Sequence, residues 1–319
     1  MTREDILNSI QLKKRFCKDC GLPIVVFDNP YFMERLKILD PLFSCLVKFD
    51  QFCFELYNVP DEQSYFAQYN EIKEKMIQSI KASQKFEEFQ ADRFDKGNLP
   101  IGKKNLYTPE NDGGTFISID MKKANFSALH HYSRWIFNGC DTWEQFVRQF
   151  TDSAHISGSK YIRQVVLGAC NPGKQIRFES YLMSILYSHI AEQLSFLDFY
   201  SLGEDEIIIT VDNPNKNPII KDRDFSLQKL MNVVDSCPGG IGNLVRVKMF
   251  DLCKIGDYGY MKIMDNGALD VEFKCIDAEI YHQIVKHYYN IPITEDDLVF
   301  YHNGRLARFL KGVENPWIT

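Results

Sequence analysis

An α+β fold is predicted, built on a split β-α-β sheet that carries a helical insertion, with a helical region before it and a small α+β region after it. Three observations lead there. The run Phe116, Ile117, Ile119 is apolar and partly β-branched, and it passes into helical spacing at Ala124, Phe126, Ala128 and Leu129. Two further strand-like runs, ending at Leu202 and beginning at Ile207, flank a turn at Gly203. Helical stretches separate these runs, and the alternating LVRVKMFDL closes the order β, α, inserted helices, β-hairpin, α, β. The expected segments are a helical N-terminal region (1–110), the sheet with its inserted helices (111–255) and a C-terminal α+β region (256–319).

Composition sets the bounds. A chain of 319 residues with 45% hydrophobic and 13% aromatic residues can bury a substantial core. No run approaches the ~18 apolar residues of a membrane span, and MTREDILNSIQLKKRF lacks the apolar core of a signal peptide. A soluble, intracellular protein is expected. The net charge of −6 argues against coating nucleic acid by bulk charge, while leaving room for a local basic groove. Nine scattered cysteines in so large a chain are expected to be reduced thiols. Cys17 and Cys20 have the spacing of a zinc knuckle, but a closed zinc site normally shows two ligand pairs. Cys45 and Cys53 sit in apolar surroundings and read as core thiols, so structural zinc is not expected.

Taken in order, residues 1 to about 100 are predicted mainly helical. From Asp61 to Phe94 the recurring Tyr65, Tyr69, Ile72, Met76, Ile80 and Phe86 predict one long amphipathic helix, its lysines forming either a solvated face or a nucleic-acid path. The Gly, Pro and Asn of residues 95–114 mark a loop or boundary. The strand from Phe116 ends on Asp120. That acid either caps the following helix or, held on a rigid strand end, binds a divalent cation through hard oxygens.

A short helix is predicted from an Asp141 cap. In SGSKYIRQVVLGACNPG, the residues Arg163, Leu167 and Asn171 are spaced by four, with Lys160 three residues earlier, so one helical face is expected before Pro172 and Gly173 end it. After a helix at 178–197, the hairpin places Glu204, Asp205 and Glu206 at or beside its tip, either as solvated turn residues or as a second acidic site. A helix from Phe225 to Ser236, a Gly-rich break and a strand follow. The last region reads as one or two further hairpins, with a turn at Asp265-Asn266-Gly267, a helix at AEIYHQIVKHYYN and a closing helix around GRLARFLKGV. In a split β-α-β sheet the first strand neighbours the hairpin, bringing Asp120 beside Asp205. Two such carboxylates repel unless cations fill the gap, and magnesium suits it.

Three of these stretches resemble the motifs of family A DNA polymerases. Asp120 with Lys123, Ala124, Asn125, Phe126, Ser127, Leu129 and His130 is similar to motif A, with Asn125 where that family has glutamate and Ser127 where it has arginine. Arg163-x-x-x-Leu167-Gly168-x-x-Asn171 is similar to motif B, Lys-x-x-x-Phe-Gly-x-x-Tyr. Glu204-Asp205-Glu206 before a buried strand is similar to motif C, His-Asp-Glu.

The resemblance implies a palm-type sheet with fingers helices and a template-directed nucleic-acid polymerase. Asp120 and Asp205 would hold two Mg2+ ions, with Glu206 as the acid near the primer end. Lys160, Arg163, Gly168, Asn171, Lys123 and Asn125 would form the substrate-binding set, and primer-template and nucleoside triphosphates would be the partners. Only 42 residues separate Arg163 from Asp205, so a minimal, distant member is expected, of the size a virus or mobile element would encode. A metal-dependent nuclease or phosphodiesterase and a catalytically inactive palm-derived structural protein are the alternatives. The cations Lys254, Lys262, Lys274, Arg305, Arg308 and Lys311 suggest a duplex-gripping, thumb-like C-terminal segment.

Overall fold

A computed structural model describes residues 1–95, 97, 99–214, 227–257, 259–264 and 270–309. Along the chain, α1 (Arg3–Asn8), α2 (Ile10–Cys20), α3 (Tyr31–Phe43), α4 (Cys45–Leu56), α5 (Glu62–Lys81) and α6 (Gln84–Ala91) precede β1 (Thr115–Met121) and α7 (Ala124–Tyr132). The short α8 (Trp143–Val147), α9 (Ala154–Gly158) and α10 (Lys160–Gly168) lead into α11 (Pro172–Gln193). Then come β2 (Asp198–Leu202), β3 (Glu206–Asp212), α12 (Leu227–Asp235), β4 (Val245–Ile255), β5 (Gly259–Met264) and β6 (Val271–Lys274). Finally there are α13 (Tyr281–Tyr288), β7 (Val299–His302) and β8 (Arg305–Arg308). Mixed α+β architecture is therefore observed. No helix among the described residues is long and apolar enough to cross a membrane.

Two compact units share the chain: Met1–Ser79, Cys140–Val166 and Ile276–Thr319 form one, and Ile80–Gly139 with Leu167–Cys275 form the other. These units cut across the sequence segments 1–110, 111–255 and 256–319.

The first unit is built around Phe16, Phe32, Phe49 and Phe52, all fully buried, with Phe16 edge-on to Phe49 at 5.0 Å. Among the described residues its buried charges have partners. Asp19 on α2 accepts from Tyr69 Oη at 3.0 Å and Ser159 Oγ at 2.7 Å, and its other oxygen lies 3.1 Å from His155 Nε2. Asp297 accepts from Lys286 Nζ at 2.6 Å and from the Thr294 amide at 2.6 Å, with Arg35 Nη1 at 3.4 Å. Burial alone would raise the Asp297 carboxyl, but the Lys286 and Thr294 hydrogen bonds hold it below the usual aspartate range.

The second unit contains a six-stranded antiparallel sheet in the order β2-β3-β1-β4-β5-β6. The sheet thus continues past residue 255. Strand alternation puts Ile117, Ile119, Ile207 and Ile209 on one face, all fully buried, while Phe116, Ser118 and Asp120 share the other with Glu206, Arg246 and Lys248. Helix α11 packs against α7, α12 and β3. Phe89, Phe94, Tyr132 and Phe178 form an aromatic cluster joining α6, α7 and α11, with Phe94 and Phe178 centroids 4.4 Å apart. Gly242 in the Gly-rich break has a local reason: a Cβ there would meet the Val234 carbonyl oxygen at 2.1 Å.

Several elements differ from expectation. The long helix predicted from Asp61 to Phe94 is two, α5 and α6, because Ser83 is extended (φ −71°, ψ 126°) and its hydroxyl donates to the Trp135 carbonyl at 3.1 Å. Pro172 opens α11 instead of ending α10. A proline costs nothing at the first helical position, where its missing N–H has no partner to lose. Asn171 is then the left-handed N-cap of α11 (φ 58°) and leaves the face of Arg163 and Leu167. Thr142, not Asp141, caps α8, through a capping box with Gln145. The closing helix is instead the β7–β8 hairpin as far as Arg308. Residues 310–319, the Asp265-Asn266-Gly267 turn, Phe225 and Ser226 lie outside the described residues.

Candidate functional site

Asp120 does not cap α7. The N-cap position is Lys123, in the left-handed region (φ 48°) and with no side-chain cap bond, so the Asp120 carboxylate is left to the open face of the sheet. Register sets its neighbours: Asp120 pairs with Glu206 on β3 and with Arg246 on β4. Arg246 Nη2 donates to Asp120 Oδ2 at 3.0 Å, both side chains being solvent-accessible. The hairpin tip is fastened to the same place, since the Met121 amide donates to the Asp205 carbonyl at 2.9 Å and the Gly203 amide to the Glu206 carbonyl at 2.8 Å.

Each acid has a distinct environment. Glu206 accepts from Ser118 Oγ at 2.6 Å and has Lys262 Nζ at 3.7 Å. Glu204 is taken by Lys103 at 2.7 Å. The Asp205 carboxyl is raised by burial first and then by the fields of Asp120 and Glu206. Glu179 on α11, only 4% exposed, is pushed up to about 7 by burial, then by Asp205 and Glu204. Asn125 Nδ2 donates to its Oε1 at 3.2 Å. Acidic side chains are therefore concentrated around the tip. Hard oxygen donors in mutual repulsion suit a divalent cation. Among the described residues, no group of three or more His, Cys, Asp or Glu side chains forms a ready-made metal site.

Of the residues singled out from sequence, Asp120, Asp205, Glu206 and Asn125 thus fall in one neighbourhood of the second unit. Lys123 is exposed at the start of α7. Gly168 is exposed at the end of α10, and Asn171 donates to Gln90 Oε1 at 2.5 Å. Lys160 and Arg163 belong to the first unit. Lys160 is exposed, while Arg163 is half-buried, its guanidinium lowered by burial and partly restored by Glu144.

Sequence reading missed three participants. Glu179 carried a signal, because it lies in register with Met183, Leu186 and Ile190 on the buried stripe of α11, where an ionisable residue is out of place. Lys262, grouped with the cations of a duplex-gripping segment, carried one too, standing between the buried Tyr260 and Met264 on one face of β5. Arg246 had none, since its role depends on pairing across strands 126 residues apart.

No family model matches the chain, and neither a curated protein nor a solved structure matches it.

Proposed function

We propose that the second unit is a palm-type nucleotidyl-transfer site, acting in template-directed extension of a 3′-hydroxyl by nucleoside triphosphates. One observation carries the reading. The β1 end and the β2–β3 tip are locked together by the Met121–Asp205 main-chain bond, so that the Asp205 carboxylate lies in the field of Asp120. The strand order β2-β3-β1-β4, with helices connecting β1 to β2 and β3 to β4, supports it as the split β-α-β arrangement of a palm.

Asp120 and Asp205 would hold the magnesium ions, which when bound activate the attacking oxygen and stabilise the leaving pyrophosphate. Arg246 orients Asp120 from the neighbouring strand. Ser118 and Lys262 keep Glu206 beside the pair, near the primer end. Asn125 and Glu179 form a hydrogen-bonded pair at the substrate side of α7. The triphosphate contacts assigned to Lys160 and Arg163 rest on the motif B resemblance, and a raised KM for nucleotide in Arg163→Ala is their test.

The direct experiment incubates labelled primer-template with nucleotides and Mg2+. Extension by the wild type should fall by at least about a thousandfold in Asp120→Asn and in Asp205→Asn, with the fold kept. Shortening of the primer, abolished by the same substitutions, would identify a nuclease. Equal behaviour of all three proteins would leave a palm-derived structural protein.

A further inference from the structure

Lys262 is the most demanding side chain to place in this sheet, an ammonium only 6% exposed on β5. Its surroundings account for it. Nζ lies 3.7 Å from Glu206 Oε1, 4.4 Å from the Phe250 ring centroid and 5.8 Å from that of Tyr107. The other charges that face it are Asp120, Glu272 and Lys274. Glu272 is already engaged by Lys274 at 2.9 Å and Lys248 at 3.3 Å, and Asp120 by Arg246. Glu206 is therefore the acid that Lys262 serves. With Phe250 and Tyr107 excluding water, that attraction is screened less than at the surface.

We propose that Lys262 is a built-in counter-cation of the acidic site: it draws Glu206 back beside Ser118 and weakens the intrinsic hold of the Asp120/Asp205 pair on divalent cations. The inference rests on the reading of that pair as the cation-binding carboxylates. Its consequence would be that occupancy of the pair depends on the phosphate oxygens that substrate brings. Lys262 is a positioning residue, acting through Glu206.

Binding of Mn2+ to the full chain without nucleotide, followed by electron paramagnetic resonance, tests this. Lys262→Met keeps the length of the side chain and its contact with Phe250 but removes the charge. It should bind Mn2+ at least about fivefold tighter than wild type. In a Glu206→Gln background the same change should shift affinity by less than about twofold, because the partner is already neutral. Lys262→Arg, which keeps the charge, should stay near wild type. If Lys262→Met does not fold, Lys262→Gln is read in the same way. Unchanged Mn2+ affinity in a folded Lys262→Met or Lys262→Gln protein, with Asp120→Asn still losing the ion, overturns this inference alone. A wild type that binds Mn2+ no tighter than Asp120→Asn overturns the cation-site reading and this inference with it.

Discussion

Asp297 and Glu179 are both nearly inaccessible carboxylates, 2% and 4% exposed, one in each unit, and their surroundings push them in opposite directions. Around Asp297 the chain has gathered Lys286, Arg35 and the Thr294 amide and hydroxyl, so the carboxylate is held ionised. Around Glu179 the nearest influences are two more acids, Asp205 and Glu204, and the one described hydrogen bond comes from the neutral Asn125. Both arrangements cost desolvation, but only the first recovers it within the protein. Carboxyls displaced by burial and by like charge cluster at functional sites more often than elsewhere, and Glu179 lies beside the acids of the functional proposal.

The comparison breaks most sharply at Asp297. Asp297→Ala should destabilise the first unit by about 3–5 kcal/mol, because Lys286 and Arg35 would be left buried without their counter-charge. Urea unfolding at pH 7 measures it, and a loss under about 1 kcal/mol would mean that water or a shifted side chain takes the place of the carboxylate.

Glu179→Gln should act the other way. Its native carboxyl, at about 7 against 4.5 in the unfolded chain, keeps a proton that the unfolded state releases. Its contribution to stability is thus complete below 4.5 and lost as pH rises through about 7. Glutamine mimics the protonated form, so the variant should gain about 2–3 kcal/mol over wild type at pH 8 and almost nothing at pH 4. Unfolding curves at the two pH values test the sign, and an equal difference at both would contradict the assignment.

The smallest effect sharpens the meaning of burial. Lys37 and Glu34 also form an ion pair at 2.8 Å in the first unit, but both side chains are about half exposed. Lys37→Ala should change stability by less than about 0.5 kcal/mol, because water already solvates both charges. A loss comparable to that of Asp297→Ala would show that pairing alone, without burial, sets the scale.

Local physics made much of this protein legible from its residues. The β-branched run before Asp120, the hairpin around Gly203 and the alternation of LVRVKMFDL each specify a strand within a few residues, and the order of elements then limits which strands can be neighbours. The end of β1 could be placed beside the hairpin in advance for that reason. Pro172 was misread because proline signals both the end of one helix and the first turn of the next, and only the conformation of Asn171 distinguishes them. The break at Ser83 depends on a hydrogen bond to Trp135, 52 residues away.

Tertiary structure alone decided how the charges balance. Whether a lysine is a surface cation or the buried partner of Glu206, and whether a helical glutamate is solvated or held near neutrality, depends on which strands and helices cover it. Electrostatic energy depends on separation and on exclusion of water, and neither is written in residue order. Residue types and their periodicity determined the strands of the six-stranded sheet, most of the helices and the candidate acids. Packing determined that Asp120 would be steadied by Arg246, that Glu179 would join the acidic cluster and that Lys262 would lie beneath it.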